Sequence, residues 1–121
     1  MSTAFASLTV LVPDLAAARR FYCDLLGFAV EQEFGPDLLQ LSQAGCAVLL
    51  SRCDRVSAPD YPAAAQVALG IAVPDLAASL AKMRASDVPL VFAEPQEFPA
   101  GRFFAVRDPA GNVIEFLQFH R

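Results

Sequence analysis

Apolar and polar positions along the chain follow one plan twice. An apolar run from Leu8 to Val12 stops at Pro13, and a second from Val67 to Val73 stops at Pro74. Runs of this length, rich in valine and closed by proline, predict strands. Asp14 and Asp75 come next, a residue type that caps helix N-termini by accepting a backbone hydrogen bond. Behind them Leu15, Ala18, Phe21, Tyr22, Leu25 and Leu26 recur at helical spacing, as do Leu76, Leu80 and Met83. Gly27 stops the first predicted helix, and Ser86-Asp87 with Pro89 stops the second. Three strands then follow each helix. In the first half they are Phe28 to Phe34, Leu38 to Leu41 and Cys46 to Ser51, separated by Gly35-Pro36-Asp37 and Gln43-Ala44-Gly45. In the second half they are Leu90 to Ala93, Phe103 to Arg107 and Val113 to Phe119, with Pro99-Ala100-Gly101 and Asp108-Pro109-Ala110-Gly111-Asn112 as turns.

The two halves also share letters. Val12-Pro13-Asp14-Leu15-Ala16-Ala17 returns unchanged as Val73-Pro74-Asp75-Leu76-Ala77-Ala78, 61 positions later. Because the layout around both copies is the same, the repeat is read as structural. The predicted fold is α+β: two tandem βαβββ modules within one domain spanning 1–121. Module 1 covers about 5–53 and module 2 about 65–121, with a linker at about 54–64 that carries Pro59 and Pro62. Each helix covers one face of its sheet. The uncovered faces predict a curved mixed sheet around a concave cleft.

Composition narrows the class. A chain of 121 residues, 55% hydrophobic and 18% charged, is long enough for a real core and is not a disordered segment. A net charge of −4 leaves no basic face for nucleic acid. The apolar runs are too short to span a membrane, and the first residues lack the pattern of a secretion signal. Cys23, Cys46 and Cys53 are odd in number and form no CxxC pair, which argues against a disulfide framework or zinc site. Cys23 and Cys46 read as small core residues and Cys53 as the more exposed thiol. The expectation is a cytoplasmic protein, and exposed sheet edges with a high apolar fraction favour a homodimer.

Two stretches resemble the vicinal oxygen chelate superfamily, the glyoxalase, bleomycin-resistance and extradiol dioxygenase group. One is Val12-Pro13-Asp14-Leu15 with Arg20-Phe21-Tyr22 and Leu25-Leu26-Gly27-Phe28. The other is Arg107-Asp108-Pro109-Ala110-Gly111-Asn112-Val113-Ile114-Glu115-Phe116. The resemblance runs from Leu8 to about Phe119 and implies a cleft for small molecules. It also implies, in the superfamily's enzymes, a divalent metal held by one His or Glu from each first and each last strand.

Carried over through the repeat, those four positions are Ser7, Ala68, Leu49 and Glu115. A hydroxyl, a methyl and an isobutyl group are poor or impossible ligands, and the single histidine, His120, lies off the motif in a segment expected to be frayed. No metal and no cofactor are therefore expected, in the manner of the bleomycin-resistance type. Strand alternation places Thr9 beside Ser7 and Gly70 beside Ala68, and the segment from Phe98 to Phe104 adds aromatics able to stack on a planar ligand with Arg102 near an anionic group. The ligand-binding candidates are therefore Ser7, Thr9, Leu49, Ala68, Gly70, Arg102, Phe104 and Glu115. Arg102 or Arg107 is a potential partner for Glu115. Arg19-Arg20 reads as a solvated helix face.

The leading expectation is a metal-independent small-molecule binding protein that sequesters an antibiotic or other aromatic metabolite. The alternative is a glyoxalase-like lyase, isomerase or other metal-dependent enzyme with Glu115 as remaining ligand or general base. A third reading treats the small residues as packing that lets the sheets close, with Glu115 at a surface or interface.

Overall fold

Asp14 and Asp75 act as expected in a computed structural model that describes residues 3–42, 45–57 and 59–120. Asp14 Oδ1 accepts the Ala17 N–H at 3.1 Å, and Asp75 Oδ1 accepts the Ala78 N–H at 3.1 Å. Each satisfies one of the donors that a helix start leaves unpaired. The chain divides into two compact units, Met1–Ser57 and Ala58–Arg121.

In the first unit β1 (Ser7–Val12) leads into helix α1 (Leu15–Arg19), which runs on directly as a π-helical stretch, Arg20–Leu25. There the Leu26 N–H reaches past the usual partner to the Phe21 carbonyl at 3.0 Å. Sequence spacing predicts one uniform helix, so the wider turn is a departure from it. The adjoining rings of Phe21 and Tyr22 are both buried, edge to face with centroids 5.0 Å apart. Gly27 then adopts φ 88° beyond the helix end.

The strands β2 (Val30–Glu33), β3 (Leu38–Leu41) and β4 (Ala47–Arg52) complete a sheet in the order β1-β4-β3-β2, with β1 parallel to β4. β2 starts later than expected because the Phe28 N–H is still bonded to the Tyr22 carbonyl of the helix end. Val10, Val12, Leu39, Leu41 and Leu50 are buried, and with Ala18, Phe21 and Tyr22 they form the core of this unit. Of the expected turn before β4, Gln43 and Ala44 lie outside the described residues, and Gly45 takes φ 84°. Arg19 meets Glu33 at 2.7 Å, so at least this arginine is paired rather than merely solvated.

The second unit repeats the plan. β5 (Leu69–Ala72), α2 (Leu76–Ala85), β6 (Gln96–Phe98), β7 (Gly101–Arg107) and β8 (Val113–Phe119) give a sheet in the order β5-β8-β7-β6, again with its first and last strands parallel. Leu76, Leu80 and Met83 pack under α2 onto Phe104, Val106, Ile114 and Phe116, all buried. The fold class is α+β, with two mixed four-stranded sheets of the same topology.

One expected strand moves. Leu90 to Ala93 is not a strand: Leu90 makes only an isolated bridge with Val106, and the edge strand is Gln96–Phe98 instead. The seven residues of β7 are flanked in two pieces, by Leu90 near one end and by β6 at the other. The chain bends away between them and Pro95, lacking an N–H, cannot continue a ladder.

The turn before β8 is built around Asp108, a buried carboxylate. Its Oδ1 accepts the N–H groups of Ala110 at 2.9 Å and Asn112 at 2.8 Å, and its Oδ2 accepts from Asn112 Nδ2 at 3.0 Å. Gly111 supplies the left-handed residue at φ 92°. Among the described residues no helix is long and apolar enough to cross a membrane.

Candidate functional site

The register of the second sheet decides which side chains share a face. Gly70 stands opposite Glu115 and Ala72 opposite Leu117 across β5 and β8, while Ala105 and Phe103 stand opposite Glu115 and Leu117 across β7. Phe98 of β6 follows through its pairing with Gly101. Because successive residues of a strand point to opposite faces, these groups lie together on the side away from α2. The helix side takes Phe104, Val106, Ile114 and Phe116, with Phe104 stacked on Phe116 at 4.9 Å.

On the face away from the helix the aromatic rings form a continuous row. Tyr61 meets Phe92 at 6.0 Å, Phe92 meets Phe103 at 5.8 Å, Phe103 meets Phe98 at 5.8 Å, and Phe98 meets Phe119 at 6.0 Å. Every contact is edge to face, the favoured geometry for quadrupolar rings. None of the five rings is fully buried, and Phe119 is 52% exposed. Glu115 stands at the Tyr61 end, where its Oε2 accepts a hydrogen bond from the Tyr61 hydroxyl.

Tyr61 comes from the segment read as linker in the sequence. A bridge between Asp60 and Ala64 folds that segment into a tight turn containing a cis Tyr61-Pro62 bond. Burial, and then the hydrogen bond to the Glu115 carboxylate and its charge, push the Tyr61 phenol far above its ordinary value of 10.0. The phenol is therefore protonated at neutral pH and donates to Glu115. No Lys or Arg among the described residues pairs with Glu115. Arg107 directs Nη1 to the Gly111 carbonyl at 3.2 Å, and the partner of Glu115 is Tyr61 in place of either arginine named as a potential one.

The ligand-binding candidates thus fall into three groups. Ser7, Thr9 and Leu49 share one face of the first sheet, with Thr9 directly opposite Leu49; both polar residues are exposed. Gly70 and Glu115 are direct neighbours on the second sheet, and Ala68 lies half-buried just before β5. Arg102 and Phe104 differ from expectation, because alternation turns both to the helix side, away from Glu115. Phe104 has no exposed surface, and the ring that shares the Glu115 face is Phe103. Arg102 is exposed near Gln118, Phe119 and His120, around a shallow depression of about 300 Å³. His120 is exposed as expected, although its N–H is held by the Ala100 carbonyl at 2.8 Å. The three cysteines are alike in being half-buried and free, and burial pushes the Cys23 thiol up.

With this geometry in place, the family model described as the glyoxalase/bleomycin resistance protein/dioxygenase superfamily matches residues 4–116. The chain belongs to that superfamily. No curated protein matches it significantly. Among solved structures, the chain is 28% identical to the bleomycin-binding protein of Streptomyces verticillus, determined with copper(II)-bleomycin, over 99% of both chains with a TM-score of 0.65. It is 26% identical to an antibiotic-binding protein from another Streptomyces, also over 99% of both chains, with a TM-score of 0.69. A fosfomycin resistance protein from Listeria monocytogenes has the same fold at 16% identity, with a TM-score of 0.79 over 99% of this chain and 94% of that one.

The metal chemistry that the superfamily implies does not fit the side chains present here. The four implied positions offer a hydroxyl at Ser7, no donor atom at Leu49 or Ala68, and one carboxylate at Glu115 that is already hydrogen-bonded by Tyr61. Transition metals need several nitrogen, sulfur or carboxylate donors held in geometry. Among the described residues no three His, Cys, Asp or Glu side chains come together.

Proposed function

We propose that this superfamily member is a metal-independent small-molecule binding protein that sequesters an antibiotic or other aromatic metabolite, working as a homodimer in the cytoplasm. The observation that carries this reading is the row of five partly exposed aromatic rings on the helix-free face of the second sheet. A solvated apolar row of this kind is stabilised when a ligand covers it, and successive rings set at 67° to 89° to one another offer that ligand edges and faces in alternation. The similarity to bleomycin-binding and antibiotic-binding proteins supports the same direction. Three of the four positions that hold the metal in the superfamily's enzymes carry Ser7, Leu49 and Ala68, and this weighs against a metal-dependent lyase or isomerase.

Thermal-shift screening and calorimetric titration against bleomycin and a panel of planar aromatic antibiotics test the proposal. A ligand should stabilise the protein, and Phe103→Ala should weaken its binding about tenfold or more, as truncation of an aromatic anchor does. Absence of stabilisation by every compound would overturn the binding reading. Stoichiometric transition metal in protein purified without chelator would overturn its metal independence. Sedimentation at micromolar concentration checks the dimer, which a monomeric species would refute.

A further inference from the structure

The aromatic row ends on a carboxylate, and that restricts what is able to cover it. Glu115 is half-buried, with one hydrogen bond from Tyr61 and no Lys or Arg partner among the described residues. An ionised carboxylate has about four acceptor sites, and water fills the remainder while the face is open. A ligand that lies on the rings strips that water. A neutral ligand would leave a charge desolvated without compensation, and an anionic one would add repulsion. A ligand bearing a positive group offsets the loss with a charge-assisted hydrogen bond. The rings act in the same sense, because their faces attract cations within about 6 Å.

Resting on the binding function proposed above, we infer that the ligand is a cationic aromatic compound. Its ring system lies along Phe92, Phe103, Phe98 and Phe119, and its ammonium or amidinium group meets Glu115. Tyr61 is a positioning residue. It fixes the carboxylate rotamer by a hydrogen bond that carries no opposing charge, so the anion stays available to the ligand. An arginine in the same place would satisfy Glu115 but cancel the selectivity. Arg107 shares this face, two residues beyond the Ala105 that stands opposite Glu115, but its Nη1 is turned to the Gly111 carbonyl at 3.2 Å and it makes no ion pair with the carboxylate.

The test compares two tricyclic dyes of similar outline, proflavine, which is cationic, and acridine, which is uncharged in mildly alkaline buffer. Both are titrated against the full chain by dye fluorescence. Proflavine should bind at least tenfold more tightly, its affinity should fall with added salt, and that of acridine should not. Glu115→Gln should erase most of the proflavine advantage and leave acridine within about twofold, the loss expected on removing a charged hydrogen bond. Tyr61→Phe should keep the preference for the cation while weakening it, which a purely structural tyrosine would not do selectively. Equal binding of the two dyes, or a preference unaffected by both salt and Glu115→Gln, would overturn the inference and leave the binding face standing. Binding of neither dye overturns the inference, and the binding reading itself then stands or falls with the wider ligand panel. The salt arm is read on the wild-type protein and does not depend on how any variant folds.

Discussion

Phe103 and Phe104 are neighbours in sequence with opposite environments, and replacing each in turn by alanine separates folding from binding. Phe104 has no exposed surface and stacks on Phe116 at 4.9 Å with the ring planes 17° apart. Removing the ring deletes its buried surface and leaves a cavity between α2 and the sheet, for which about 3–5 kcal/mol is the usual loss. For a chain of this length each kcal/mol lowers the midpoint by roughly 3–5 °C, so Phe104→Ala should melt about 10–20 °C below wild type. Phe103 is only half-buried and sits in the aromatic row, so Phe103→Ala forfeits less area and should cost about 1–2 kcal/mol. Urea titrations of the three proteins measure both quantities, with unchanged slopes confirming that only stability has moved. Two results would refute the reasoning: a Phe104→Ala loss below about 1.5 kcal/mol, or equal losses at the two positions. Either would mean that the register of β7 and β8 is not as described.

Two further outcomes follow from the hydrogen-bonded carboxylates. Asp108→Ala removes three hydrogen bonds to Ala110 and Asn112 and strands backbone N–H groups in a part-buried turn, so urea denaturation should show a loss of about 2–4 kcal/mol. Asp108→Asn, which keeps one acceptor oxygen, should lose less. Tyr61 has its phenol raised in the folded chain above the 10.0 of the unfolded one, so its contribution to stability is fully present below pH 10.0 and disappears as pH climbs toward the higher folded value. The stability of wild type should therefore decline between pH 10.0 and the folded value more steeply than that of Tyr61→Phe, by urea denaturation at several alkaline pH values. Parallel curves would show that the phenol is not held protonated.

The tandem βαβββ plan was legible in the chain itself because its signals are local. Proline after an apolar run, Asp at a helix start and glycine at turn positions act through the backbone of their own few residues, and Leu38–Leu41 and Val113–Phe119 appear with the bounds that alternation predicts. Glu115 and Gly70 were likewise identifiable, as repeat equivalents of Leu49 and Thr9, and their direct pairing shows that the repeat carries the register as well.

What lay beyond the sequence was decided by contacts between distant residues. The edge strand settled at Gln96–Phe98, not Leu90–Ala93, because β7 is long enough for the chain to pair, bend away and pair again. Phe103 and not Phe104 joined the site because a shift of one residue along a strand exchanges the faces of a sheet. Tyr61 was hidden altogether, in a proline-marked segment with no periodicity, 54 positions from the carboxylate it holds. Local patterning thus determined the two sheets, and only the tertiary structure determined which rings and which hydroxyl surround Glu115, since neither burial nor hydrogen-bond partnership across such separations is written in any short stretch of chain.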